Sequence, residues 1–190
     1  VDPWQGEIES TNLLANVVGT DPLPDIHIGR LPVNNITELN NIIAKIIHYE
    51  STLSEPWQFR MLFVADNTDS AGDFAKISNK IISDYLDTQP LYTADTIYQE
   101  SFNCTSRTSV ECLAVTQAIT STLNTTGTLI MSYHGHGSGR LWSNEIILET
   151  DDISTLSNGD QLPIILSMDC WDGTWSFPDV SYSSSYYPGL

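Results

Sequence analysis

Hydrophobic and polar positions alternate along this chain in blocks of two distinct periods. After a short apolar run at residues 25–29, set between Pro24 and Pro32, Asn35 and Glu38 form the pattern of a capping box. The segment that follows places Leu39, Ile42, Ile43, Ile46 and Ile47 on one face, the 3.6-residue period of an amphipathic helix. Residues 60–65 (RMLFVA) are continuously apolar after Arg60 and stop at Asp66-Asn67, which predicts a buried strand. A second helix is predicted from about Gly72 to Leu86, with Phe74, Ile77, Ile81 and Tyr85 inward, and a strand over residues 91–97. Helical spacing returns over residues 109–123, with Val110, Leu113, Ala114, Ala118 and Ile119 on the apolar side. Residues 128–133 (TLIMSY) predict a strand that runs into His134-Gly135-His136-Gly137. A short helix at 151–156 ends before Gly159, and residues 163–168 (PIILSM) predict another buried strand that runs into Asp169-Cys170.

Strands alternating with helices of this length imply βαβ units and a mostly parallel sheet covered on both faces. In such sheets ligands bind beyond the carboxyl ends of the strands. Asp66, His136 and Cys170 all fall at or just past such ends. At 190 residues the chain reads as one domain, 1–190. No internal repeat or linker divides it, and the tail after Pro178 is polar and aromatic.

Charge changes the picture by exclusion. Asp and Glu number 24 against 7 Lys and Arg, a net charge of −17. A surface so acidic repels a phosphate backbone, so nucleic-acid binding is not expected. No stretch reaches the ~18 apolar residues of a membrane span. The chain begins at Val1 without an initiator Met or signal peptide, as a processed form or fragment would. Three N-glycosylation sequons, beginning at Asn35, Asn103 and Asn124, fit an exported protein, secreted or at the cell surface. Of the three cysteines, Cys104 and Cys112 are close enough to be bridged, which would leave Cys170 free. Three unpaired cysteines fit the count equally well, and both states stay open here.

The chemistry lies in His136 and Cys170. A thiol attacks a carbonyl as thiolate and needs a neighbour to take its proton, a task suited to histidine. The developing oxyanion needs N–H donors, which a glycine-rich turn presents without obstruction. His136, flanked by Gly135 and Gly137 on one strand end, and Cys170 on the next meet these needs. His134 is the rival histidine, but glycine flanks it on one side alone. His27 and His48 sit in apolar-periodic segments as structural residues, and no Cys/His cluster has zinc spacing.

His134-Gly135-His136-Gly137-Ser138 with Trp142 downstream resembles the histidine motif of the gingipain-type cysteine peptidases. Residues 162–170 (LPIILSMDC), with Gly173 beyond, resemble their cysteine motif, and residues 24–33 (PDIHIGRLPV) resemble the segment before their first long helix. The end of the helix that follows, residues 45–50, is similar again, so the resemblance runs from Pro24 to Pro178. This family stands with the caspases, legumains and clostripains. The resemblance therefore implies a caspase-like three-layer α/β/α sandwich and a cysteine endopeptidase acting on polypeptides through a thioester acyl-enzyme.

By the same resemblance Cys170 is the nucleophile and His136 the general acid and base. The N–H groups of Gly137 and Cys170 form the oxyanion hole. Ala65-Asp66-Asn67 matches the position of an acidic partner, so Asp66 is expected to orient His136; as a residue alone, Asp66 also suits a strand-ending turn. Asp73 corresponds to an acid at the base of the S1 pocket that would select P1 Arg, although it also suits a helix N-cap. His134 and Met168 would line that pocket, and Trp142 and Trp171 would shape the cleft. No cofactor is required by this chemistry. Calcium is admitted, because family members bind it and Asp151, Asp152 and the acids from Asp66 to Asp73 offer oxygen donors.

Two departures bear on function. The resembling enzymes continue past the cysteine block with helices that complete S1, whereas this chain ends 20 residues after Cys170. They also carry a preceding subdomain, of which residues 1–20 would be a remnant. A second reading is thus a catalytically silent caspase-like binding or assembly module, against which the intact Cys170, His136 and Asp66 speak. A phosphate- or cofactor-binding α/β domain is a third, unsupported by any glycine-rich nucleotide loop.

Overall fold

In the computed structural model, residues 11–51, 54–104 and 110–172 are described, and they fall into two units. Residues 1–51 and 174–183 make up the first unit. Its described part holds a short helix α1 (Asn12–Ala15) and a long helix α2 (Ile36–Ser51). The expected Asn35–Glu38 pair starts α2 as a variant of the capping box: Asn35 Oδ1 accepts the Glu38 N–H (3.0 Å), while Glu38 accepts the Asn34 N–H (2.7 Å) and the Asn35 side-chain amide (2.6 Å) rather than the Asn35 N–H. The apolar run at 25–29 forms no strand. Asp25 instead accepts the N–H groups of Val17 and Val18, both at 2.8 Å, which closes a local loop.

The second unit, residues 52–173 with 184–190, contains the sheet. Strands β1 (Arg60–Ala65), β2 (Thr93–Tyr98), β3 (Ile130–His134) and β7 (Ile164–Met168) lie in the order β2-β1-β3-β7, all parallel. Helix α3 (Phe74–Ile81), extended by a π turn to Leu86, follows β1; helix α4 (Val110–Ser121), extended likewise to Thr126, precedes β3. Leu62, Val64, Met131 and Tyr133 point to one face and pack with Cys112, Val115, Ile119 and Leu123 of the α4 segment. Ser132 and His134 alternate to the other face, where His134 Nδ1 meets Ser78 Oγ of α3 at 3.0 Å. Helices therefore cover opposite faces of the sheet, the α/β/α layering of a caspase-like fold. Among the described residues no helix is long and apolar enough to cross a membrane.

Three sequence expectations need correction. Helix α3 turns Ser78 fully inward and leaves Ile77 and Tyr85 exposed, because the buried contact with His134 sets its rotation. Helix α4 buries Cys112, Val115 and Ile119 and exposes Leu113, because a Cys104–Cys112 disulfide fixes Cys112 on the inward side. Strand β7 is not a buried strand: among the described residues it pairs with β3 alone, and Ile164, Ile165, Leu166 and Met168 are exposed. The structure adds a small antiparallel sheet that the sequence pattern did not predict. It joins β4 (Gly137–Ser138), β5 (Leu141–Trp142) and β6 (Leu148–Glu149) just beyond β3. The helix expected at 151–156 is a 3-10 turn, Thr150–Thr155. Gly173 and the polar tail lie outside the described residues.

Candidate active site

Register brings the reactive residues together. Ala65 pairs with His134, and His134 with Met168, so β1, β3 and β7 end level. The ladder runs on with Asp66 N–H to His134 O (3.0 Å) and Gly135 N–H to Met168 O (3.4 Å). His136 and Cys170 each lie two residues past the level pair, on strands spaced ~4.8 Å apart. Both have left the strands at this point, and the His136 ring lies against Phe74 and Asp69 on the α3 side, while Cys170 is exposed.

The backbone of His136 is held at both polar ends. Its N–H donates to Asp66 Oδ2 (3.0 Å), and its carbonyl accepts from Tyr133 Oη (2.6 Å) and from the Ser143 N–H (2.7 Å). Tyr133 is fully buried and stacks on Trp142, with ring centroids 4.3 Å apart and planes 9° from parallel. Burial, aided by the nearby Asp66 charge, pushes the Tyr133 hydroxyl far up, so it stays a donor. Gly137 then pairs with Trp142 across β4 and β5. The His-Gly-His-Gly run is thus a turn pinned through its backbone.

Asp66 does not touch the His136 ring. Oδ1 accepts the Asn67 N–H (2.8 Å) while Oδ2 takes the His136 N–H, so both oxygens serve backbone. Burial pushes its carboxyl above the usual carboxylate range, against the lowering effect of those two bonds. The ring meets a different acid: His136 Nε2 lies 2.8 Å from Asp69 Oδ2. Phe74, the first residue of α3, approaches the ring edge-on at 5.5 Å.

The loop that carries Asp69 is anchored from the turn that follows β2. Fully buried Gln99 donates through Nε2 to Asn67 Oδ1 (2.9 Å), and Glu100 Oε1 accepts the Thr68 N–H (2.9 Å). Sequence reasoning missed Asp69, Gln99 and Tyr133. A second acid three residues past Asp66 was a visible signal, whereas Gln99 acts between distant segments and the Tyr133 bond depends on how the turn after β3 folds back.

Cys170 is an exposed free thiol. Trp171 follows it at φ +69°, a left-handed conformation rare for a bulky residue, so the chain turns sharply right after the thiol. Asp172 ties this turn to the histidine side: its Oδ2 accepts from Trp142 Nε1 (2.9 Å) and Ser167 Oγ (2.5 Å). Between the two turns lies Asp169. Both its oxygens are buried without a hydrogen-bond donor, and burial together with Asp172 pushes its carboxyl up to about 7.

That shift has a readable consequence. The folded carboxyl keeps its proton up to about 7, whereas an unfolded one releases it near 4. The folded state binds more protons in between, so stability falls as pH rises through that window. Asp169→Asn is expected to melt higher than wild type at pH 8 and to converge with it at pH 4, as read by thermal scans across pH.

The residues expected around S1 are dispersed. Asp73 caps α3, with Oδ1 accepting the Lys76 N–H (2.8 Å). Met168 is exposed, whereas His134 is buried with its ring on Ser78, and burial lowers its pKa and keeps it neutral. Among the described residues, no group of three or more His, Cys, Asp or Glu is placed to hold a metal ion. Asp152 instead accepts the Glu149 N–H at the start of its own turn (2.9 Å), and Asp151 faces Arg140 (3.8 Å).

A parallel sheet with helices on both faces defines a caspase-like α/β protein, and it carries a histidine and a free thiol past adjacent strand ends. Comparison with known sequences places it further. The sequence model of peptidase family C25 matches residues 1–185, and the chain belongs to that family. It is similar to gingipain R2 of Porphyromonas gingivalis, 23% identical over 180 residues, which is 90% of this chain and 22% of that protein. Gingipain R1 of the same species is likewise 23% identical over 90% of this chain, here 16% of the relative. The chain thus spans about a fifth of the length of these relatives.

Proposed function

We propose that this chain carries the catalytic centre of a secreted or cell-surface cysteine endopeptidase. The observation that carries the reading is the placement of His136 and Cys170 two residues past a level pair on adjacent parallel strands. In the proposed reaction Cys170 thiolate attacks the scissile carbonyl, and the N–H groups of Gly137 and Cys170 receive the oxyanion. His136 protonates the leaving amine, then draws a proton from the water that cleaves the thioester. No cofactor enters these steps. A basic P1 side chain, arginine first, would suit a protein of net charge −17, with the carboxylate of Asp73 as the candidate acceptor. The Cys104–Cys112 disulfide supports an oxidising, extracellular setting.

The test is covalent labelling of the full-length protein with acyloxymethyl-ketone probes bearing P1 Arg, Lys or Asp. Labelling by the Arg probe, absent in Cys170→Ala, is the expected result. A folded protein that none of the three probes labels would overturn the reading and favour a silent binding module.

A further inference from the structure

We infer that Asp69, rather than Asp66, is the acidic residue that positions the His136 ring and sets its proton, an inference that rests on the peptidase reading of this site. Asp66 is the acid at the expected position, yet the bonds it accepts come from the N–H groups of His136 and Asn67, and the His136 ring is bonded to Asp69 instead. It is buried and its carboxyl is held above the ordinary range, which weakens it as a counter-charge. Its work is to shape the loop.

Asp69 has the opposite character. Oδ2 sits 2.8 Å from His136 Nε2, while Oδ1 accepts the Ala71 N–H (2.7 Å) and the residue's own N–H donates to Gly72 O (3.1 Å). The carboxylate is therefore held at both oxygens. The Ala71 N–H and then His136 keep it below the usual carboxylate range. The ring it faces is braced on its edge by Phe74, and α3, which starts at Phe74, is capped by Asp73. One loop, residues 66–74, thus supplies the backbone clamp, the ring acceptor, the helix cap and the ring's apolar brace.

An ionised carboxylate can only accept, so the neutral His136 ring carries its proton on Nε2. Nδ1 then holds the lone pair and is the atom that does chemistry. It takes the Cys170 thiol proton, which leaves thiolate and an imidazolium whose Nε2–H faces Asp69. On collapse of the tetrahedral adduct the Nδ1 proton passes to the leaving amine. In the second half Nδ1 receives a proton from the attacking water and returns it to the thiol as the acid product departs. Asp69 stays ionised throughout and stabilises each imidazolium.

The experiment pairs kinetics with ring ¹⁵N NMR on full-length protein labelled at histidine, in wild type, Asp69→Asn and Asp66→Asn. Asparagine at 69 can keep the Ala71 bond while removing the charge. The wild-type neutral His136 ring should show the Nε2–H tautomer. In Asp69→Asn both tautomers should appear, and kcat should fall about 10- to 100-fold with KM little changed. Asp66→Asn should keep the tautomer. Ring signals and kcat that are unchanged in Asp69→Asn, or that move only in Asp66→Asn, would overturn the inference. A wild type that cleaves nothing but shows the Asp69-dependent Nε2–H signal would overturn the peptidase reading and leave the positioning contact standing.

Discussion

With His136 replaced by alanine, the full-length protein is expected to lose about three to four orders of magnitude in kcat and to keep its fold. The loss follows from the role of the ring, which handles the proton in both halves of the proposed reaction. The intact fold follows from where the residue is held. The His136 N–H to Asp66, and the bonds of Tyr133 and Ser143 to its carbonyl, are all backbone contacts that alanine retains. The ring itself touches Asp69 and the edge of Phe74 and is partly exposed, so little packing is lost. Steady-state hydrolysis of a P1-Arg peptide beside a thermal melt measures both quantities. An unfolded variant would show that the ring is structural. A folded variant with wild-type turnover would remove His136 from the mechanism.

Gly135→Ala is expected to act in the opposite way, on stability first. A Cβ at this position would collide with Tyr133 Oη, lie 2.7 Å from Tyr133 Cζ and stand 2.5 Å from Asp66 Cβ. Neither neighbour can move cheaply. Tyr133 is fully buried, stacked on Trp142 and bonded to the His136 carbonyl; Asp66 is buried and holds two backbone N–H groups. Overpacking of this kind costs about 1–3 kcal/mol, and losing the Tyr133 bond in a buried site adds roughly 1–3 kcal/mol. The urea midpoint should therefore drop steeply at unchanged m-value, and activity should fall with it because the displaced groups hold His136. Gly29→Ala is the control, since a Cβ there meets nothing within 4 Å and no positive φ is involved. A Gly135→Ala midpoint equal to the control's would refute the close-packing role. Gly135 of the histidine motif is thus required for the close approach of two buried side chains, Tyr133 and Asp66.

Much of the frame was legible in the chain itself. The runs RMLFVA and TLIMSY predicted β1 and β3, because parallel strands inside an α/β layer are read as unbroken apolar runs, and PIILSM predicted the strand β7 though not its exposure. Each run stops at a polar residue, which located Asp66, His136 and Cys170 at one end of the sheet before any pairing was known. The Asn35–Glu38 box announced the start of α2, because capping is a contact between residues three apart. Patterns of this kind are local, and local patterns survive in one dimension.

What the tertiary structure alone decided are contacts between distant segments. Helices α3 and α4 rotate away from the faces their periodicity suggested, since Ser78–His134 and Cys104–Cys112 outweigh the gain from burying Ile77 or Leu113. Two-residue strands carry no period, so the β4-β5-β6 sheet and its Tyr133–Trp142 stack were invisible. The choice between Asp66 and Asp69 was of the same kind. Both acids follow β1 in one loop, and which of them reaches the ring depends on how that loop folds and how deeply each is buried. The sequence by itself determined which residues could do the chemistry and at which end of the sheet they stand. The packing of three strand ends decided which carboxylate meets His136, because loop geometry and desolvation are properties of a folded neighbourhood.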